Sequence, residues 1–97
     1  MKKIIALQVV PAQTLNVVLN GQNCQLAIYQ KSIGVYLDLY VNNVPIVQGG
    51  LCLDRAPIAA SAYLGFNGYL MFSDLQGTSD PVYSGFGTRY QLVYVSP

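Results

Sequence analysis

The sequence has no histidine, no glutamate and no tryptophan, and it is poor in charge of either sign: five Lys and Arg stand against four Asp, 9% of 97 residues. The absence of His removes Ser-His-Asp and Cys-His nucleophile systems, His-liganded metals and the usual general base together. Carboxylate-pair catalysis would need two of Asp38, Asp54, Asp74 and Asp80 to converge to about 5–10 Å. Among these, Asp74 and Asp80 are neighbours in sequence, and Asp at a loop end is an ordinary Asx-turn residue. Residues 74–80 are too sparse in oxygen ligands for a calcium loop. Gly85-Phe86-Gly87 is followed by neither the Lys nor the helix start that a phosphate loop needs. No enzyme, cofactor or metal site is expected.

The scarcity of charge excludes partners as well. Lys2, Lys3, Lys31, Arg55 and Arg89 are scattered along the chain and build no basic patch, so neither nucleic-acid readout nor attraction to a membrane surface is expected. No apolar run approaches the ~20 residues that span a bilayer. The start, MKKIIALQVVPAQ, has the basic and apolar parts of a signal peptide, but Gln8 interrupts the apolar part and no A-x-A-like cleavage site follows. Residues 4–10 are therefore read as a first strand, and the product is expected to stay, at first, in the cytoplasm that makes it. Two cysteines, Cys24 and Cys52, lack any metal-binding spacing and read as buried thiols; a disulfide would require adjacent strands of suitable geometry.

What is present is apolar and aromatic. Hydrophobic residues make up 53% of the chain, with eight Tyr, whereas an ordinary domain carries about 25% charged residues. Much of the surface must then consist of Asn, Gln, Ser, Thr, Tyr and apolar atoms. Such a surface is either solvated by its amides or covered by copies of itself or other proteins. Charge depletion together with abundant Tyr favours cover, because interface cores show that composition. As a platform for single-stranded nucleic acid the tyrosines lack interleaved basic residues. Most of them fit as half-buried core residues with the hydroxyl at the rim. Tyr36 and Tyr40 are assigned to an interface.

Period-2 alternation runs through the chain, so one face of each segment can be buried. Residues 14–19 end at Asn20-Gly21-Gln22-Asn23, a tight-turn signal, and pair with residues 24–30 as a hairpin. Lys31-Ser32-Ile33-Gly34 turns into residues 35–41, whose Leu37 and Leu39 face the core and whose other face carries Tyr36, Asp38 and Tyr40. Asn42-Asn43 is a type I′ turn into residues 44–47, where Pro45 argues for a short or edge strand. Gly49-Gly50 is a bulge or a switch to a second sheet. Residues 58–66 read equally as a helical turn or an irregular extended segment. Residues 69–73 and 89–95 are strands, and between them residues 74–87 form an aperiodic loop of a length that is usually functional or mobile. The expectation is one all-β domain over residues 1–97, an antiparallel β-sandwich or small barrel of six to eight short strands.

Several of these runs also carry a family resemblance. Gln30-Lys31-Ser32, Gly34, residues 36–41 (YLDLYV) and residues 50–53 (GLCL) resemble the cyanophage-type baseplate plug proteins of contractile-tailed bacteriophages. The likeness continues through residues 63–66 (YLGF), residues 68–72 (GYLMF), Asp74, Gln76-Gly77, Asp80-Pro81 and residues 85–90. The resemblance implies a non-enzymatic virion structural protein at the end of the tail tube near the hub and spike. It further implies contacts with baseplate, hub and tail-tube neighbours and a ring-type homo-oligomer. Tyr36, Asp38, Tyr40, Asp74, Asp80, Tyr83, Phe86 and Arg89 are the candidate interface residues. The second face of residues 35–41 is expected to be covered by the 74–87 loop or by a neighbouring subunit. A small carbohydrate-binding module is the alternative; it needs an exposed, coplanar aromatic pair beside Asn or Asp.

Overall fold

Among the described residues, seven strands form two antiparallel sheets that enclose a common core, which makes the fold a sandwich rather than a barrel. The computed structural model describes residues 2–58, 66 and 68–96. The strands are β1 (Lys2–Ile5), β2 (Ala12–Leu19), β3 (Gln22–Lys31), β4 (Gly34–Val41), β5 (Val44–Cys52), β6 (Tyr69–Asp74) and β7 (Tyr90–Val95). One sheet has the order β2-β3-β4-β5 and the other β1-β7-β6.

The four-stranded sheet is a meander produced by local turn chemistry. Asn20 and Gly21 both take positive φ (50° and 77°), as do Asn42 and Asn43 (50° and 66°), the geometry of two-residue hairpins. Those turns fix the register, which places Leu15 opposite Leu26 and Leu26 opposite Leu39 on the inner face. From the other sheet Leu70, Phe72, Leu92 and Tyr94 complete the core. Phe66 and Tyr94 meet edge to face with centroids 5.5 Å apart.

Three expectations need correction or narrowing. The first strand ends at Ile5, not Val10. The Gln13 side chain captures the backbone of Gln8 from both sides, accepting from its N–H at 3.0 Å and donating to its carbonyl at 2.8 Å, and the chain then bends into Pro11. At Gly49-Gly50 the chain bulges and stays in the same sheet, since Gly50, Leu51 and Cys52 still pair with β4. The last strand begins at Tyr90 because the Arg89 N–H is held by the Gly85 carbonyl at 2.9 Å. The helical or extended reading of residues 58–66 falls mostly on residues outside those described.

Cys24 and Cys52 are free and buried. They face opposite ends of β4, at Val41 and Val35, so no disulfide can join them. Burial pushes both thiols up, Cys52 to about 12.

Candidate interaction surfaces

The eight candidate residues fall into two groups that the fold does not merge. Tyr36, Asp38 and Tyr40 lie half-buried on the outer face of β4, while Val35, Leu37, Leu39 and Val41 point into the core. Across the strands this outer face brings Tyr29 opposite Tyr36, Ala27 opposite Asp38 and Gln25 opposite Tyr40. The Tyr29 and Tyr36 rings stack with centroids 5.9 Å apart and planes within 14°. The Lys31 ammonium sits 5.5 Å and 5.6 Å from the two centroids, a cation shared by both rings.

Asp38 is turned to internal use. One of its oxygens accepts from the Tyr29 hydroxyl at 3.0 Å and from the Gly49 N–H at 2.6 Å, so it stitches the β5 bulge to the sheet. Burial, followed by the bond to Asp38, raises the Tyr29 hydroxyl above its ordinary value. Tyr40 accepts from the Gln48 amide at 3.2 Å. At the turn end of the same face, the asparagines Asn16, Asn23, Asn42 and Asn43 and Gln25, together with Val17, Val18 and Cys24, line a groove of about 500 Å³ that reaches round the turn toward the core. The face is thus aromatic at one end and amide-lined at the other.

The second group builds the 74–89 loop. Asp74 is buried, and its carboxylate accepts from the backbone of Gln76 at 2.9 Å and Ser79 at 2.8 Å, and from Arg89 through Nε and Nη2 at 2.9 Å each. The two-pronged guanidinium bond, aided by the backbone donors and opposed by burial, holds the carboxyl well below the usual carboxylate range. The same bond raises Arg89. Asp80 is exposed and accepts from the Asp54 N–H at 3.0 Å; Asp54 in turn accepts from the Asp74 N–H at 2.8 Å. Arg55, in the left-handed region at φ 56°, completes the knot by donating to Asp54 at 2.6 Å and to the carbonyls of Gly77 and Asp74. With its acceptor sites filled by protein donors, Asp74 is a structural hub with no capacity left for a reacting group. Among the described residues no cluster of His, Cys, Asp or Glu could hold a metal.

Phe86 does not present itself to a partner. It is buried and stacks on Phe72 at 5.7 Å, because the short 3₁₀ turn Tyr83–Gly85 drives the chain back into the core. Gly85 makes this approach possible, since a Cβ there would lie 2.7 Å from the Tyr90 ring. Tyr83 packs half-buried at the rim, and its N–H donates to the Gln30 side chain at 3.1 Å. Within this chain Asp74 and Phe86 are buried supports of the loop, while Asp80, Tyr83 and part of Arg89 are accessible.

Over its whole length, residues 1–97, the chain matches the family described as cyanophage baseplate Pam3 plug gp18. The chain belongs to this baseplate plug family. No curated protein matches it. Membership gives the protein a structural role in the phage baseplate and a place in the virion tail. Among the described residues no helix is long and apolar enough to cross a membrane. For a baseplate plug, side chains that fix shape matter as much as those that touch neighbours. Lys31, Asp54 and Arg55 fix shape through their side chains and Gly49 through its backbone N–H, roles that sequence reading did not find. The signal for Gly49 was present in the Gly49-Gly50 pair; its acceptor, Asp38, eleven residues earlier, carried none.

Proposed function

We propose that this baseplate plug protein acts by assembly and without catalysis, closing or building the end of the tail tube near the central hub and spike. The observation that carries the reading is the outer face of the four-stranded sheet. It presents Tyr29, Tyr36, Tyr40 and a groove rich in Asn, with one oxygen of the central carboxylate, Asp38, already bonded within the chain. Removing such a face from water leaves no carboxylate there without a partner and buries rigid aromatic area, the pattern of contact surfaces. The 74–87 loop does not supply the cover, because its bonds run to Asp54, Arg55, Gln30 and Arg89. A neighbouring baseplate protein or a second copy fits there instead.

Reconstitution with purified baseplate components tests this. Tyr40→Lys, which places a charge on the face without touching the core, is expected to keep the fold and lose incorporation. Normal incorporation of that variant would overturn the assignment of this face. The carbohydrate-binding alternative is not favoured, since the stacked Tyr29–Tyr36 pair already shares the Lys31 cation on its rings.

A further inference from the structure

Among the described residues the two sheets have four edges, and three of them carry features that hinder further pairing. Edge β1 is four residues long and carries Lys2 and Lys3. Edge β6 is covered by the preceding chain: Ile58 exchanges both backbone bonds with Leu70, the Arg55 N–H takes the Phe72 carbonyl, and Asp54 takes the Asp74 N–H. Edge β5 has Pro45, which lacks a donor, and the Gly49 N–H is held by Asp38. Lysine, proline, bulges and cover are the means by which natural sheets protect their edges.

Edge β2 has none of them within the strand itself, although Lys3 of β1 reaches one of its outward carbonyls. Its eight residues, AQTLNVVL, include no charge and no proline, and they pair with β3 in unbroken register. The Gln30 N–H bonds the Pro11 carbonyl at 2.7 Å, so the bonded positions that follow in alternation are Gln13, Leu15, Val17 and Leu19. Ala12, Thr14, Asn16 and Val18 aim their N–H and C=O groups away from the sheet, and all four residues are exposed. Of these groups the Val18 carbonyl is touched by Lys3, at 3.4 Å.

We infer that β2 pairs antiparallel with β2 of a second copy of this chain. Centred on Leu15, such a pair sets Thr14 against Asn16 and Ala12 against Val18 of the second copy; Thr14 and Asn16 exchange both bonds, and the Ala12 N–H shares the Val18 carbonyl with Lys3. On the inner face Leu15 meets Leu15, and Gln13 meets Val17. An uncharged strand can lie against itself without like-charge repulsion. Because the other edges are guarded, β2 is the edge of the described residues best suited to such a contact. The contact is two-fold and self-limiting rather than an open fibre. A ring of this protein would then be built from pairs. The inference stands on the edge geometry and does not rest on the baseplate role.

Sedimentation of the full chain over a wide dilution series tests it. The wild type is expected to shift from pair to single chain on dilution. Asn16→Pro removes an outward donor that the protomer does not use, and Thr14→Lys installs a natural edge guard. Each should weaken pairing at least about tenfold while melting and strand content at high dilution stay unchanged. Val44→Lys, on the opposite edge, should pair as the wild type does. A wild type that is a single chain at every concentration overturns the inference, as does a pair that survives both β2 variants or is lost equally in Val44→Lys. If the wild type stays single while Asn16→Pro alone fails to join baseplate components, the occupant is a neighbour's strand and self-pairing is wrong.

Discussion

The two edges of the four-stranded sheet, β2 and β5, differ in how they treat their backbone. Edge β5 departs from regular pairing: Pro45 stands where an outward donor would be, two register shifts bend the strand, and Asp38 reaches across to take the Gly49 N–H. Edge β2 keeps its ladder straight for its whole length and leaves alternate backbone groups open to solvent. Both strands pack inner side chains against the same core, so hydrophobic demand does not explain the difference. What differs is how far each edge is guarded against further strands, and an unguarded edge in a protein built for assembly is a place of contact.

That comparison can be broken at several points. The largest effect is expected from Leu26→Ala, because Leu26 is fully buried in β3 and lies between Leu15 of β2 and Leu39 of β4. Chemical denaturation should show a loss of about 2–5 kcal/mol, the range for emptying a core leucine site, and both edges should loosen together. Asp38→Ala should act on one edge. It removes the acceptor of the Gly49 N–H and the Tyr29 hydroxyl, for a loss of about 1–3 kcal/mol. Hydrogen exchange should rise at Gly49 and leave Gln13 and Leu15 as they were.

Acid should act on the loop. Asp74 is held ionised in the fold below the usual carboxylate range, so its contribution is fully present above the unfolded value. It is lost as pH falls from about pH 5 toward the folded value. Thermal melts of the wild type should therefore lose stability over that interval more steeply than those of Asp74→Asn. The variant should start lower at neutral pH, since Arg89 then lacks its charged partner.

How much of this was readable in the sequence follows from the range of each interaction. The meander was legible because Asn20-Gly21 and Asn42-Asn43 carry their turn geometry locally, and because residues 35–41 alternate without a break. The bulge was legible as an alternative, but its partner was not: Asp38 looked like one residue of a contact face until the fold brought Gly49 to it. The knot of Asp54, Arg55, Asp74 and Asp80 joins two loops about twenty residues apart, and composition says nothing about which loops meet. The burial of Phe86 was not legible because glycines on both sides of it read as exposed loop, while Gly85 lets the chain close against Tyr90. The open edge of β2 was written in the sequence as a strand with no Lys, no Pro and no Gly, but its meaning required knowing that no fifth strand of the described residues lies beside it.

The most direct measurement is residue-resolved amide exchange along β2 at low and high protein concentration. Gln13, Leu15 and Val17 should be protected at both, because their N–H groups bond β3. Ala12, Thr14, Asn16 and Val18 should exchange freely when dilute and become protected when concentrated. Exchange at those four that is slow even at the highest dilution, or fast at every concentration, would contradict the account of β2 as an open edge awaiting a second copy.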